Sequence, residues 1–443
     1  DSEEDFWVKT DFLNYAFEGD KVRGKVVASR LGRRPEGKGV EILQRGKEEF
    51  VGLVEKSERF AFIVPDGRKV YEDIFVPLDK LKEANHNDKV IVKVTEWPND
   101  ANSPVGEVAR VLGPSGENDA EIHSIMAECG LPMEFPERVI TESEAIADSI
   151  GADEYKNRRD MRNEPTFTID PADAKDFVDA LSYQILDNGH IEIGIHIADV
   201  THYVQPKTRL EEEAYHRATS VYLVDRTVPM LPERLSNGLC SLRPEEEKLT
   251  FSAIFELDAE AQVHKEWFGR TVIYSDRRFT YEEAQEVLEG NDGDYPDELR
   301  SLNDLAKKLR KARFGKGAIN FETVEVKFKL DEKGKPLGVI PKVRKDAHKL
   351  VEEFMLLANR KVAAFIAGQQ RGKNTFVYRT HDNPDPEKLN SFATFARRFG
   401  YDLKFQEGKL SNELYGLMEH IVGKPEQNVL EQLAIRAMAK AKY

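Results

Sequence analysis

The sequence predicts a multidomain fold: small all-β barrels of the OB type at the amino-terminal end, then a larger region of mixed α and β structure. Three observations predict it. The first is an internal repeat. Asp11, Leu13, Ala16, Asp20, Lys21, Val22, Lys25 and Val26 meet identical residues at a constant offset of 68, and Asp5-Phe6-Trp7-Val8 aligns with Asp73-Ile74-Phe75-Val76 in the same register. The second is a series of short β-branched and aromatic runs between residues 45 and 112, separated by turn residues. The third is a change of character near residue 140, after which strand-like runs alternate with long, well-punctuated helical stretches.

The repeat sets the amino-terminal boundaries. Ile42-Leu43 matches Val111-Leu112 after one inserted residue, so two copies of one module stand in tandem. The first copy lacks its opening half. Residues 1–44 then form the carboxy-terminal part of a first barrel and residues 45–112 a second, complete one. Its strands are Phe50–Val54, Phe60–Val64, Asp73–Val76, Lys89–Val94 and Val108–Leu112, with Pro65-Asp66-Gly67 as a turn. Five short strands in about 65 residues suit a small closed barrel, a fold that binds single strands by stacking bases on exposed aromatics. Phe60, Phe62 and Phe75 are the candidate rings. Because alternate positions of so small a barrel face inward, core is the competing reading and is favoured for any single ring. Residues 113–140 read as a linker to the region 141–443.

Composition narrows the function. Among 443 residues, 65 are basic and 80 acidic, giving a net charge of −15. That excludes binding nucleic acid through a basic field over the whole surface, while leaving room for a local channel or an acidic metal site. No run approaches the about 18 apolar residues of a membrane span, and no signal-peptide pattern occurs. Cys129 and Cys240 make no disulfide framework and have no zinc-ligand spacing. A reducing, cytoplasmic location and no membrane partner are expected. A monomer is expected as well, since no heptads occur. The start at Asp1 and the end at Ala441-Lys442-Tyr443, inside a predicted helix, suggest a fragment.

The densest chemistry lies in Phe167–Ala180, where Asp170, Asp173, Asp176 and Asp179 surround a single cation, Lys175. Phe167-Thr168-Ile169 reads as a strand end and Pro171 as a turn. Clustered carboxylates repel, so a fold that gathers them needs a hard divalent cation such as Mg²⁺ or Mn²⁺. Read alone, the same residues also suit a helix start with aspartate caps. The strand-like runs Tyr183–Leu186 and Ile191–Ile197, joined by Asp187-Asn188-Gly189, favour a sheet rim over that helix. A helix with Leu210, Ala214 and Tyr215 follows, then Thr219–Leu223, a capping box at Thr280 and Glu283, and the basic run Lys307, Lys308, Arg310, Lys311, Arg313 ending at Gly315. That run reads as a solvated helix face, with phosphate tracking as the alternative. His196 and His202 read as satisfied core or rim residues rather than ligands.

Phe167–Ala180, Ile193–Val204, Pro229–Ser236, Leu239–Leu242 and Val351–Asn359 together resemble the RNB family of exoribonucleases, which includes ribonuclease R and ribonuclease II. The resemblance covers nearly the whole chain. It implies tandem cold-shock OB domains and an incomplete RNB catalytic domain. It also implies processive 3′→5′ hydrolysis of single-stranded RNA to nucleoside 5′-monophosphates, with Mg²⁺ as cofactor and Mn²⁺ as the alternative. Asp170 and Asp179 become metal ligands, with Asp176 supporting the metal or the substrate terminus, and Tyr222 the ring that stacks on the 3′-terminal base. The family's later paired arginines and terminal RNA-binding domain have no counterpart here. Where the family carries Asp-x-Asp-Asp, this chain reads Asp176-Phe177-Val178-Asp179. Valine neither binds metal nor accepts a hydrogen bond, so RNA binding with poor cleavage is expected. An RNA-binding or regulatory protein that has lost catalysis is the alternative.

Overall fold

Alternating apolar side chains between Glu49 and Pro114 give strands with a buried face, and these strands close into a barrel. The computed structural model describes all residues except 1–6, 10, 11, 14, 15, 18, 29–34, 68, 69, 71, 98–102, 320–324, 333, 370–373 and 406–409. Asp5, Phe6 and Asp11 of the repeat alignment lie outside the described residues. The chain forms two compact units. One comprises Asp1–Pro136, Val221–Val228 and Asp331–Lys335; the other comprises Glu137–Ser220, Pro229–Leu330 and Pro336–Tyr443.

In the first unit, β1 (Trp7–Val8), β2 (Lys21–Ala28) and β3 (Glu36–Gln44) make a sheet of order β1-β3-β2. Strands β4 (Glu49–Lys56), β5 (Ala61–Pro65), β6 (Ile74–Val76), β7 (Asp88–Glu96) and β8 (Val105–Pro114) close the barrel in the order β4-β5-β6-β8-β7. Val54, Ile63, Ile74, Val76, Val90 and Val92 fill it. The sequence repeat reappears as hydrogen-bond register. Lys21↔Gln44, Val22↔Ile42, Arg23↔Glu41 and Gly24↔Gly39 become Lys89↔Gly113, Val90↔Val111, Ile91↔Arg110 and Val92↔Val108, the irregular steps included. The parallel contact Trp7↔Glu36 likewise returns as Phe75↔Val105. Sheet β1-β3-β2 thus repeats β6-β8-β7. Phe17 joins the two copies, its ring 5.1 Å from Trp97 and 5.8 Å from Phe50. The segment read as a linker carries α1 (Asn118–Glu128), which packs on β4, β7 and β8.

The second unit opens with α2 (Glu137–Glu144), α3 (Ala152–Asn157), β9 (Arg159–Met161), β10 (Thr166–Asp170), β11 (Asp179–Ile185), β12 (Ile191–Ala198), α4 (Val200–Tyr203) and α5 (Arg209–Arg217). The chain then gives the hairpin β13 (Val221–Tyr222) and β14 (Thr227–Val228) to the first unit. It returns with a wide helical turn at Arg234–Leu239, then β15 (Glu246–Leu257), β16 (Val263–Ser275), β17 (Arg277–Thr280), α6 (Tyr281–Leu288) and α7 (Pro296–Gly315). Strands β18 (Glu325–Leu330) and β19 (Pro336–Lys342) precede α8 (Asp346–Gly368). The chain finishes with β20 (Thr380–His381), α9 (Pro386–Arg397), α10 (Leu410–Ile421), α11 (Gln427–Ala437) and β21 (Ala441–Lys442). The last residues, expected inside a helix, instead pair with β20 as a strand.

Seven strands make one sheet, ordered β17-β10-β11-β12-β15-β16-β9. The β11–β12 hairpin turns at Gly189, whose φ of +78° is costly for a residue with a Cβ. One sheet face buries Phe167, Ile169, Leu181, Ile193, Ile195 and Phe255 against Leu299, Leu302, Leu350 and Phe354 of α7 and α8. On β12, His196 is fully buried between Ser252 Oγ at 2.6 Å and Ser182 Oγ at 2.8 Å, the satisfied core role expected of it. On α5, Leu210 and Ala214 are buried and Tyr215 is exposed. Lys307, Lys308 and Lys311 of the basic run are exposed, as a solvated face requires, while Arg310 and Arg313 are half-buried. Lys307 pairs with Asp346 at 2.9 Å, and Arg313 Nη2 reaches the buried Glu353 at 2.5 Å, so these cations fasten α7 to α8.

Candidate metal-ion and RNA site

Strand β10 ends at Asp170 and β11 begins at Asp179, so the loop 171–178 returns both carboxylates to one end of two paired antiparallel strands. No helix forms there, which removes the capped-helix reading. The loop is held by its backbone. Phe177 N–H donates to Ser241 Oγ at 3.0 Å, Ser241 Oγ donates to the Lys175 carbonyl at 3.3 Å, and Leu242 N–H donates to the Phe177 carbonyl at 2.7 Å. Ala198 N–H reaches the Val178 carbonyl at 3.1 Å. The Leu239–Leu242 motif therefore braces the acidic loop.

Asp170 is 8 % exposed, and among the described residues its Oδ2 meets no hydrogen-bond donor in bonding geometry. Burial pushes its pKa up to about 6; the nearby Thr168 hydroxyl and Arg278 hold it down, while the Asp179 and Asp176 charges raise it further. Burial raises Asp179 as well. The charges of Asp176 and Asp179 thus act on Asp170, and Asp170 and Asp179 are the desolvated pair. Asp173 turns outward to Lys327, 3.3 Å away. Val178 is 49 % exposed and brings no oxygen from its side chain. Among the described residues, no group of three or more His, Cys, Asp or Glu side chains is arranged to hold a metal ion. The oxygen-only donor set and the orphaned buried oxygen of Asp170 nonetheless fit a hard divalent cation.

Two residues at this site had not been singled out in the sequence. Tyr281 opens α6, next to Thr280, the register partner of Asp170. Burial, with the Asp179 and Asp170 charges, pushes its hydroxyl up to about 12, and its ring stacks on His348 at 4.1 Å and 6°. Arg278 donates Nη2 to the Pro171 carbonyl at 2.5 Å and lies 5.2 Å above the Phe177 ring. The signal that could have found Tyr281 is its place immediately after the Thr280 cap, at the sheet end where Asp170 stops.

The candidate base platforms belong to the first unit. Phe60, Phe62 and Phe75 are absent from the barrel core and meet one another outside it, with centroids 5.6, 5.7 and 6.3 Å apart. The favoured core reading fails because β5 and β6 direct Ala61, Ile63, Ile74 and Val76 inward, leaving the alternate positions outside. Tyr222, on β13, is 65 % exposed.

An RNB domain matches residues 158–443 and a cold shock domain matches residues 62–136. The chain belongs to the RNB family. Ribonuclease R of Thermotoga maritima is 36 % identical over 100 % of this chain and 63 % of its own length, so the chain spans less than two thirds of that relative. Mycoplasma genitalium RNase R, solved with ribose-methylated single-stranded RNA, superposes with a TM-score of 0.90 and 25 % identity, covering 98 % of this chain and 69 % of that one. Yeast Ssd1, a pseudonuclease, shares the fold over 98 % of this chain and 54 % of its own, with a TM-score of 0.68 and 19 % identity.

Proposed function

We propose that this RNB-family chain acts on single-stranded RNA as a 3′→5′ exoribonuclease releasing nucleoside 5′-monophosphates, with activity reduced by Val178. The observation that carries the reading is the buried Oδ2 of Asp170, with no donor in bonding geometry among the described residues, near the second desolvated carboxylate of Asp179. Asp170, Asp179 and, in support, Asp176 would hold Mg²⁺ or Mn²⁺. Such an ion supplies Lewis-acid stabilisation of a phosphodiester and lowers the pKa of water. The chain's own groups have separate tasks. Tyr281 keeps its proton and presents a hydrogen-bond donor at the acidic edge. Tyr222 offers a ring for the 3′-terminal base, and Phe60, Phe62 and Phe75 offer rings for bases further along. Stacking accepts any base, which suits a degrader that ignores sequence.

Val178 favours a second reading, an RNA-binding family member without catalysis, because its exposed side chain brings no ligand to the acidic loop. One substitution separates the two. Val178→Asp is expected to tighten Mn²⁺ binding by about tenfold, as one added carboxylate ligand would. It is also expected to raise shortening of a 5′-labelled RNA from its far end, with EDTA abolishing both effects. Tighter Mn²⁺ binding with no added nucleotide release selects the non-catalytic reading. Unchanged Mn²⁺ affinity overturns the assignment of this loop as a metal site.

A further inference from the structure

Tyr222 sits on a hairpin of two residues per strand, with Val221↔Val228 and Tyr222↔Thr227 as the register. A ladder this short does not hold itself in water, so contacts outside it must fix the ring. The turn is closed by Leu223 N–H donating to the Arg226 carbonyl at 2.8 Å. The Asp225 and Arg226 side chains of this turn meet the start of α1. Arg226 Nη2 is 2.8 Å from Asp119 Oδ1 and 2.8 Å from Asp225 Oδ2, and Arg226 Nη1 is 3.4 Å from His123 Nε2. Asn118 Nδ2 donates to Asp225 Oδ2 at 3.2 Å and to the Gly334 carbonyl at 3.4 Å, so one amide gathers both the hairpin and the segment 331–335. The Asp225 side chain is only 7 % exposed, and the Arg226 guanidinium holds the carboxyls of Asp119 and Asp225 below the usual range. Helix α1 in turn packs on β4, β7 and β8 of the barrel.

We propose that Asn118, Asp225 and Arg226 are positioning residues that mount Tyr222 on the barrel unit through α1. The ring offered to the 3′-terminal base is then placed by the barrel's helix and not by its own strand pairing. The inference rests on reading Tyr222 as a base platform, and the experiment separates the two.

Hydrogen exchange of residues 221–228 in the whole chain reads the mount without RNA. Arg226→Ala and Asn118→Ala are each expected to speed exchange there by about tenfold, with Arg226→Lys intermediate because it keeps the charge and loses the forked geometry. Unchanged exchange in both alanine variants overturns the mount. The second readout is the affinity, in EDTA, for a single-stranded RNA ending in 2-aminopurine. Arg226→Ala is expected to weaken it by about fivefold in the parent and not at all when Tyr222 is already alanine. Equal weakening in both backgrounds overturns the role in placing Tyr222. If Tyr222→Ala alone leaves affinity unchanged while Arg226→Ala still speeds exchange, the mount stands and the platform reading falls.

Discussion

At neutral pH the fold keeps an ionised Asp170 that burial would rather hold neutral, since its pKa is about 6 against 3.8 for an unburied aspartate. The folded chain binds the proton more tightly, so this residue's contribution to stability falls as pH rises from about 4 to about 6 and is level above that. Asp170→Asn should therefore be more stable than the parent by about 3 kcal/mol at neutral pH, with the gain gone at about pH 4. Urea unfolding at the two pH values measures it; a gain of equal size at both contradicts the burial argument. The direction is informative because a residue kept for packing would lose stability on substitution. A buried carboxylate whose charge costs stability is one that a bound cation can compensate.

At the scale of the element, the acidic loop is only as well placed as the β11–β12 hairpin behind it. Gly194 shows how tightly that hairpin is built. A Cβ there would lie 2.3 Å from Ser182 Oγ and 2.4 Å from His196 Nε2, both within the buried polar pairing of the two strands. Gly194→Ala should cost about 1–3 kcal/mol by overpacking. Because Asp179 is the first residue of β11, it should also loosen Mn²⁺ binding. Chemical denaturation and calorimetric Mn²⁺ titration on the same variant check both outcomes, and a destabilised variant with parental Mn²⁺ affinity uncouples the loop from the hairpin. The element types here were legible in the sequence: the Asp187-Asn188-Gly189 turn, the Thr280 capping box and the strand ending before Pro171 each rest on local backbone chemistry. The partners were not. Ser241 as the brace of Phe177, and Glu353 as the buried partner of Arg313, join positions far apart in the chain, and no local rule pairs them.

For the molecule as a whole, a net charge of −15 leaves little general attraction for RNA, so the proposed RNA binding gives uncharged stacking contacts a large share of the affinity. Replacing Phe60, Phe62 and Phe75 together by alanine should weaken single-stranded RNA binding by more than about tenfold, since stacking contributes about 1–3 kcal/mol per base. The slope of affinity against salt should stay that of the parent, because no cation is removed. Fluorescence anisotropy at two salt concentrations tests this, and a changed slope with little lost affinity contradicts stacking as the source.

Residue identity at a constant offset determined the tandem repeat, and hydrophobic periodicity and turn chemistry determined the barrel strands, the first hairpin and the concentration of aspartates at a strand end. These depend on interactions within a few residues of each other, or on patterns copied along the chain. Tertiary structure alone decided that Phe60, Phe62 and Phe75 lie outside the barrel, because strand alternation leaves open which face is inner until the barrel closes. It also decided that Asp170 and Asp179 are the desolvated pair and Asp173 is not, because burial is a property of everything packed around a side chain. The company of Tyr222 was settled the same way: its hairpin meets α1 through Arg226 and Asn118, a contact between segments that only folding brings together.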